Sequence, residues 1–162
     1  MDAGMDTGNI IDQIRFPLPF HRTCRDCIQH MQQIGPKFLT QTLRKYAKNE
    51  LQDQAQDDSQ ALLCSKIEKS DGIIDPFHEP LSSIYAKYRA YYLRPKISFA
   101  LADKHIIIEA LTLDEDRFAH SQDQPLINSD DTLNPAINTI LLKPQGKKTL
   151  DRTSFKNGYL KH

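Results

Sequence analysis

Four side chains that can bind a metal or carry out redox chemistry stand at three-residue spacing near the start of the chain. They are His21, Cys24, Cys27 and His30, in the pattern His-x-x-Cys-x-x-Cys-x-x-His. Cysteine and histidine are the usual ligands of tetrahedral zinc, and a Cys-x-x-Cys pair commonly supplies two of its four ligands. The spacing therefore makes this stretch a candidate metal site, with zinc as the metal.

The expected backbone around these residues works against all four binding one ion. If the stretch is helical, the rise from His21 to His30 is about 13 Å, which exceeds the span of one zinc shell. The start of a helix also favours the reactive thiolate of a cysteine, so redox chemistry at Cys24 is a second alternative. We expect the cysteines to pack as small hydrophobic residues, ahead of zinc binding and of redox chemistry.

Composition indicates an ordinary globular protein. The 162 residues include 21 basic and 21 acidic side chains, for zero formal net charge, whereas a dedicated nucleic-acid binder is usually clearly basic. No apolar run approaches the length of a membrane span, and the start of the sequence has no signal-peptide pattern. We therefore predict a cytoplasmic protein without a membrane partner, whose three cysteines are thiols or metal ligands rather than disulfides.

Charge is nevertheless spread unevenly along the chain. Residues 21–50 carry six basic and two acidic side chains, and residues 139–162 carry six basic and one acidic. Clustered cations can bind nucleic-acid phosphates in a salt-dependent manner, dock on an acidic partner or keep a tail in solution. The candidate contact residues for a nucleic acid or an acidic partner are Lys37, Arg44, Lys45, Lys48, Lys143, Lys147, Lys148 and Arg152.

Apolar spacing predicts three main helices. The first runs from Pro19 to about residue 34 and ends at Gly35-Pro36, and the second runs from Pro36 to about residue 51. A polar linker near 52–60 and a short helix near 61–67 follow. The third helix lies between Pro80 and Pro95, and its tyrosine stripe is more typical of a core face than of a base-stacking surface.

Strand patterns follow the third helix. Alternating apolar residues predict a β-hairpin of residues 97–101 and 105–113 with a turn near Asp103-Lys104, and residues 137–142 predict a third strand. Residues 114–135 are polar and predict a long surface loop. Residues 143–162 have no period and predict a basic tail.

Together these elements predict an α+β protein in which N-terminal helices precede a β-hairpin and a third strand. The strands form a small antiparallel or mixed sheet packed on a helix. The chain would divide into a loosely ordered segment 1–17, a single domain 18–142 and the basic tail 143–162. The order of strands resembles small KH-like sheets, although the sequence lacks a Gly-x-x-Gly loop between helices.

The sequence contains no recognisable catalytic motif. His78-Glu79 is not followed by the second histidine of a zinc protease, and no Walker A, G-x-G-x-x-G or G-x-S-x-G pattern is present. We therefore predict a non-catalytic cytosolic binding or adaptor protein, with another protein as its partner and no cofactor. The alternatives are a nucleic-acid-associated protein of the replication or repair type, and a small zinc-binding or thiol-redox protein that uses Cys24 and Cys27.

Overall fold

The computed structural model describes residues 4, 6–101 and 103–160. They form two units. The first combines the residues up to Phe20 with Asp26–Lys66, and the second combines His21–Arg25 with the chain from Ile67 onward. The predictions for the first few residues and for the last two residues of the tail lie outside the described residues. The division of the chain at residues 17 and 142 stays a prediction.

A single long helix, α1 (Cys24–Ala47), takes the place of the first two predicted helices, and Pro36 lies inside it. The expectation that Gly35-Pro36 ends a helix is therefore wrong, as is a helix start at Pro19. An internal proline costs about 3 kcal/mol. The helix nevertheless continues through this proline, and within it the Thr40 hydroxyl donates a hydrogen bond of 2.7 Å to the Pro36 backbone oxygen.

The first unit joins the chain before α1 to the chain after it. Ile10 and Gln54 exchange two backbone hydrogen bonds of 2.8 Å as an antiparallel bridge. Beside this bridge, the Asn9 amide donates a hydrogen bond of 2.8 Å to the Asp53 carboxylate. The short helix predicted near 61–67 is absent from the described structure, where this stretch is extended and exposed. Helix nucleation costs free energy, and a segment this short does not recover that cost unless it packs an apolar face against other residues.

The second unit contains the predicted tyrosine helix, α2 (Leu81–Ala90). Its first two backbone N–H groups, those of Leu81 and Ser82, donate to carbonyl oxygens of residues 124 and 122, which satisfies donors that a helix start leaves free. Tyr85 and Tyr88 are buried. The prediction of this helix is confirmed, and two of the four predicted core tyrosines are buried, whereas Tyr91 and Tyr92 follow the helix and are half-buried.

The sheet consists of β1 (Ser98–Leu101), β2 (Lys104–Leu113) and β3 (Ile137–Pro144), antiparallel and in the order β1-β2-β3. Phe99 pairs with Ile106, and Ile108 pairs with Leu142. All four side chains are buried, so one face of the sheet forms the core. The α+β class, the hairpin and the third strand are confirmed.

The prediction of a long surface loop at 114–135 is wrong. This stretch begins with a helix, α3 (Glu115–Ser121), whose N-terminus is capped by the Asp114 carboxylate. The chain that follows buries its few large apolar side chains, which are Leu126, Ile127 and Leu133. The polar composition of the stretch gave no sign of this packing, because only a few apolar residues are buried and they are widely spaced among polar ones.

The C-terminal residues also form ordered structure where an aperiodic tail was predicted. A helix, α4 (Arg152–Tyr159), starts at Asp151, whose carboxylate accepts a hydrogen bond of 2.8 Å from the Ser154 N–H. Phe155 is fully buried and Leu160 is buried, and α4 packs on β3. The tail prediction is wrong because α4 buries a short apolar face. The few apolar residues of that face stand among polar residues in the sequence, so no apolar period was apparent.

Candidate functional site

Two of the four predicted metal ligands have other partners. Nδ1 of His21 lies 3.1 Å from the Tyr85 hydroxyl, and its Nε2 lies 3.0 Å from a carboxylate oxygen of Glu115. The His30 ring meets the Phe16 ring edge-on, with centroids 4.8 Å apart. Each histidine is therefore engaged within its own unit.

The two cysteines between them are free, partly exposed thiols on α1. Among the residues that the structure describes, no three His, Cys, Asp or Glu side chains are grouped so that they could hold a metal ion. The geometry thus does not gather His21, Cys24, Cys27 and His30 into one site.

The first group of predicted contact lysines and arginines lies in the first unit. Lys37, Arg44 and Lys45 belong to α1, and Lys48 follows its last residue. All four are exposed. Lys48 lies 3.9 Å from the carboxylate of Glu50, a distance typical of a weak surface ion pair.

Arg152 has a structural position that the sequence did not indicate. Its guanidinium donates hydrogen bonds to the backbone oxygen of Ile137, at 3.0 Å, and to that of Leu133, at 3.4 Å. These bonds hold α4 against the start of β3. Arg152 is thus occupied by backbone acceptors, unlike the other predicted contact residues near it.

The remaining predicted cations lie beside the β-hairpin. The N–H of Gln145 donates to the backbone oxygen of His105 at 2.8 Å, so the turn after β3 lies next to the start of β2. Gly146 in this turn has a φ of +72°, a conformation that favours glycine. We call the resulting cluster the basic edge, and it consists of Lys104, His105, Lys143, Lys147 and Lys148.

Glu109 provides an acidic anchor beside the basic edge. It is the extra residue of a β-bulge in β2, because Ile108 and Ala110 pair with consecutive residues of β3. Its carboxylate accepts a hydrogen bond of 2.6 Å from the Thr149 hydroxyl and lies 3.6 Å from Nζ of Lys143. The Thr149 bond, helped by the charges of Lys143 and Lys96, holds the pKa of Glu109 below its ordinary value. Glu109 therefore remains ionised and fixes the turn that carries the neighbouring lysines.

A groove of about 790 Å³ lies in the second unit. One wall is the segment around a short 3₁₀ turn, Lys69–Gly72, and the other is the stretch 94–98. The walls approach closely at Gly72, where a Cβ would collide with the backbone oxygen of Lys96 and lie 2.9 Å from the ring of Pro95. The groove is lined by Ile67, Glu68, Lys69, Ser70, Ile73, Arg94, Pro95, Lys96, Ser98 and His105.

Sequence reasoning missed the cations that this geometry adds to the predicted ones. Lys104 and His105 follow the hairpin turn, so their place at one end of the sheet could have been inferred from the strand prediction. Lys69, Arg94 and Lys96 gave no such signal, because only the close packing at Gly72 brings their segments together.

The chain matches the family described as "Formyl transferase, C-terminal domain" over residues 66–160, which is more than half of its length. It therefore belongs to this family. The matched residues comprise almost all of the second unit, including the sheet, the basic edge and the groove.

Curated relatives extend the similarity to the first unit. The methionyl-tRNA formyltransferase of Sulfurovum sp. (strain NBC37-1) is 36% identical over 116 residues, covering 69% of this chain and 36% of the relative. The enzyme of the same name from Roseiflexus sp. (strain RS-1) is 30% identical over 163 residues, covering 98% and 50%. That of Chlamydia caviae is 27% identical over 173 residues, covering 100% and 54%. The chain thus spans about half the length, or less, of these relatives.

The family membership corrects the functional prediction. A non-catalytic adaptor is wrong, because the family and the relatives are those of formyl-transferring enzymes. The adaptor prediction depended on the absence of catalytic motifs from this sequence, and that absence did not exclude membership of an enzyme family. Within the described residues, no helix is long and apolar enough to cross a membrane.

Proposed function

We propose that this chain is part of a formyltransferase that acts on methionyl-tRNA, and that its second unit helps to hold the tRNA. The observation that carries the proposal is similarity along nearly the whole chain. Two relatives named methionyl-tRNA formyltransferase cover 98% and 100% of it, and the family match covers the second unit.

The basic edge supplies a physical reason for tRNA binding. Lys143, Lys147 and Lys148 come from the end of β3 and the turn after it, and this turn is bonded to the start of β2 at His105. The side chains of these three lysines and of His105 are exposed. A cluster of exposed cations on ordered backbone binds the phosphates of a nucleic acid and releases their counterions. This proposal retains the predicted nucleic-acid partner and replaces the predicted protein partner.

Formyl transfer also bears on the predicted absence of a cofactor. A transfer reaction consumes a donor of the transferred group. The complete enzyme must therefore bind a small-molecule formyl donor in addition to the tRNA. We assign no described residue of this chain to that donor. The role we propose for the second unit is to position the RNA, which raises the rate of a reaction by holding the reactants together.

The proposal is tested by fluorescence anisotropy with labelled tRNA, at low and at physiological salt. We expect binding whose affinity falls with salt. The triple variant Lys104→Ala, Lys147→Ala and Lys148→Ala should weaken it and lower the salt slope by about two to three. The matched control is Arg15→Ala with Arg117→Ala, two exposed cations that are not among the candidate contact residues, and it should leave binding nearly unchanged. Absence of binding at low salt, where electrostatic attraction is strongest, would reject the proposal.

A further inference from the structure

We propose that the groove between Lys69–Gly72 and the stretch 94–98 binds an unpaired nucleotide of the RNA. The base would lie on the apolar floor and the adjoining phosphate on the cationic rim. This inference rests on the proposed function, and it assigns a further RNA contact to a groove that adjoins the basic edge at His105.

The floor of the groove exposes large apolar side chains. Ile67 is 57% exposed and Ile73 is 60% exposed, and Pro95 lines the groove with them. Neighbouring exposed apolar side chains in a concave surface are typical of a ligand or partner site. A nucleobase has a flat apolar face that such a floor can cover.

The rim of the groove carries more positive than negative charge. Lys69 and Arg94 make no ion pair within the described residues, and Lys96 lies beside them. Glu68 is the one acidic side chain of the lining, against these three cations. Charge complementarity therefore favours an anionic occupant.

The size of the groove favours a single strand. Its volume of about 790 Å³ falls within the range of roughly 300–1,000 Å³ that small-molecule sites occupy. That is enough for one or two nucleotides of a single strand. The bases of a double helix are stacked within the helix and cannot reach the floor of the groove. Unpaired bases are the ones that proteins contact through their faces, and an arginine guanidinium such as that of Arg94 can stack on them.

The walls of the groove are fixed by the backbone rather than by side chains alone. Gly72 permits the close approach of the two walls, and Lys96 has a φ of +64°, in the left-handed region that non-glycine residues seldom adopt. Ile74, two residues after Gly72, donates its N–H to the backbone oxygen of Ser98 at 2.9 Å. The site is therefore formed before a ligand arrives.

The test compares two labelled RNA hairpins of the same stem, one blunt and one with a four-nucleotide single-stranded 3′ overhang. We expect the whole protein to prefer the overhang by about tenfold, since stacking of a single base contributes that much or more. Ile73→Gln, an exposed position, should abolish the preference without changing the melting temperature. Lys69→Ala with Arg94→Ala should reduce it, and Arg15→Ala with Arg117→Ala, at exposed positions outside the groove, is the matched control.

The outcomes separate this inference from the proposed function. Equal binding of both hairpins, or a preference that survives Ile73→Gln, overturns the groove assignment while tRNA binding stands. No binding of either hairpin or of tRNA overturns both. A groove that takes an apolar, acidic peptide instead would be revealed by a labelled peptide that binds in an Ile73-dependent way and is not displaced by the overhang hairpin, and this result also overturns the assignment.

Discussion

The ring of Phe155 meets the ring of Phe99 edge-on, with centroids 6.4 Å apart and planes at 83°. Phe99 belongs to β1 and Phe155 to α4, and both side chains are enclosed by the core. This contact joins the last helix to the first strand of the sheet. The C-terminal region is therefore a structural part of the second unit rather than an appendage that carries charge.

Replacing Phe155 with alanine should destabilise the protein by about 3–5 kcal/mol, because the change leaves a cavity at the centre of the core. The free energy of unfolding, measured in urea, tests this prediction. The neighbouring variant Lys156→Ala, at an exposed position of α4, should change it by less than about 0.5 kcal/mol. Equal effects at the two positions would contradict the packing of α4 described above.

The buried side chain of Asn134 should be equally hard to replace. Its oxygen accepts bonds from the Ala136 N–H and the Ser121 hydroxyl, and its amide donates to the carbonyls of Ser121 and Pro125. Asn134→Leu leaves these groups without partners and should cost about 2–4 kcal/mol. Thermal unfolding followed by circular dichroism measures the loss. The same change at exposed Asn157 should be nearly neutral, and a neutral Asn134→Leu would show that these bonds do not hold the stretch 122–136.

The ion pair of Glu79 and Lys87 should make stability depend on pH. The two charged atoms are 2.7 Å apart. Burial raises the pKa of Glu79, but the bonds from Lys87 and Ser83 outweigh it and bring the pKa below its ordinary value of 4.5. A lowered pKa in the folded state means that the stabilisation is present above about pH 4.5 and is lost as the pH falls through the folded value.

The variant Glu79→Gln should therefore be less stable than the unmodified protein at pH 7, by about 1–2 kcal/mol. This difference should shrink as the pH falls below about 4.5, because the unfolded state then gains a proton that the folded carboxylate resists. Urea denaturation at pH 7, 5 and 3.5 follows the change. Glu50→Gln, which removes the exposed pair with Lys48, serves as the control and should show little difference at any pH. A constant penalty for Glu79→Gln across this range would mean that its charge is not the source of the stabilisation.

The exposed apolar face of α1 should bind a hydrophobic dye. Leu39 and Leu43, one helical turn apart, are 58% and 57% exposed, and α1 buries none of its side chains. Leu39→Gln with Leu43→Gln should lower the fluorescence of bound anilinonaphthalene sulfonate. Helix content should stay the same, because leucine and glutamine have similar helix propensities. Lys37→Gln with Lys45→Gln is the control, and dye binding that ignores the leucines would contradict this expectation.

Local sequence patterns were sufficient for some of the elements. The apolar spacing of α2 between Pro80 and Pro95 determined a helix with a buried tyrosine face, and the alternation at Ile97–Leu101 determined the first strand of the hairpin. These elements could be predicted because their side-chain period matches the backbone period that buries them, and because proline limits a helix at short range.

The functional surfaces depended on contacts between residues distant in sequence. The candidate lysines Lys143, Lys147 and Lys148 were identified from charge alone, but the hydrogen bond from Gln145 to His105 decided that they share an edge with Lys104 and His105. The groove exists because Gly72 admits the chain around Lys96, which no local pattern encodes.

The sequence by itself determined the α+β class, the tyrosine helix, the hairpin, the third strand and the clustering of charge. Tertiary structure decided that the stretch 122–136 is held by the hydrogen bonds of Asn134, and that the C-terminal residues fold as α4. The physical reason is that these features draw their stability from burial and hydrogen bonds between segments far apart in the chain, whose free energy is not visible in the pattern of any one segment.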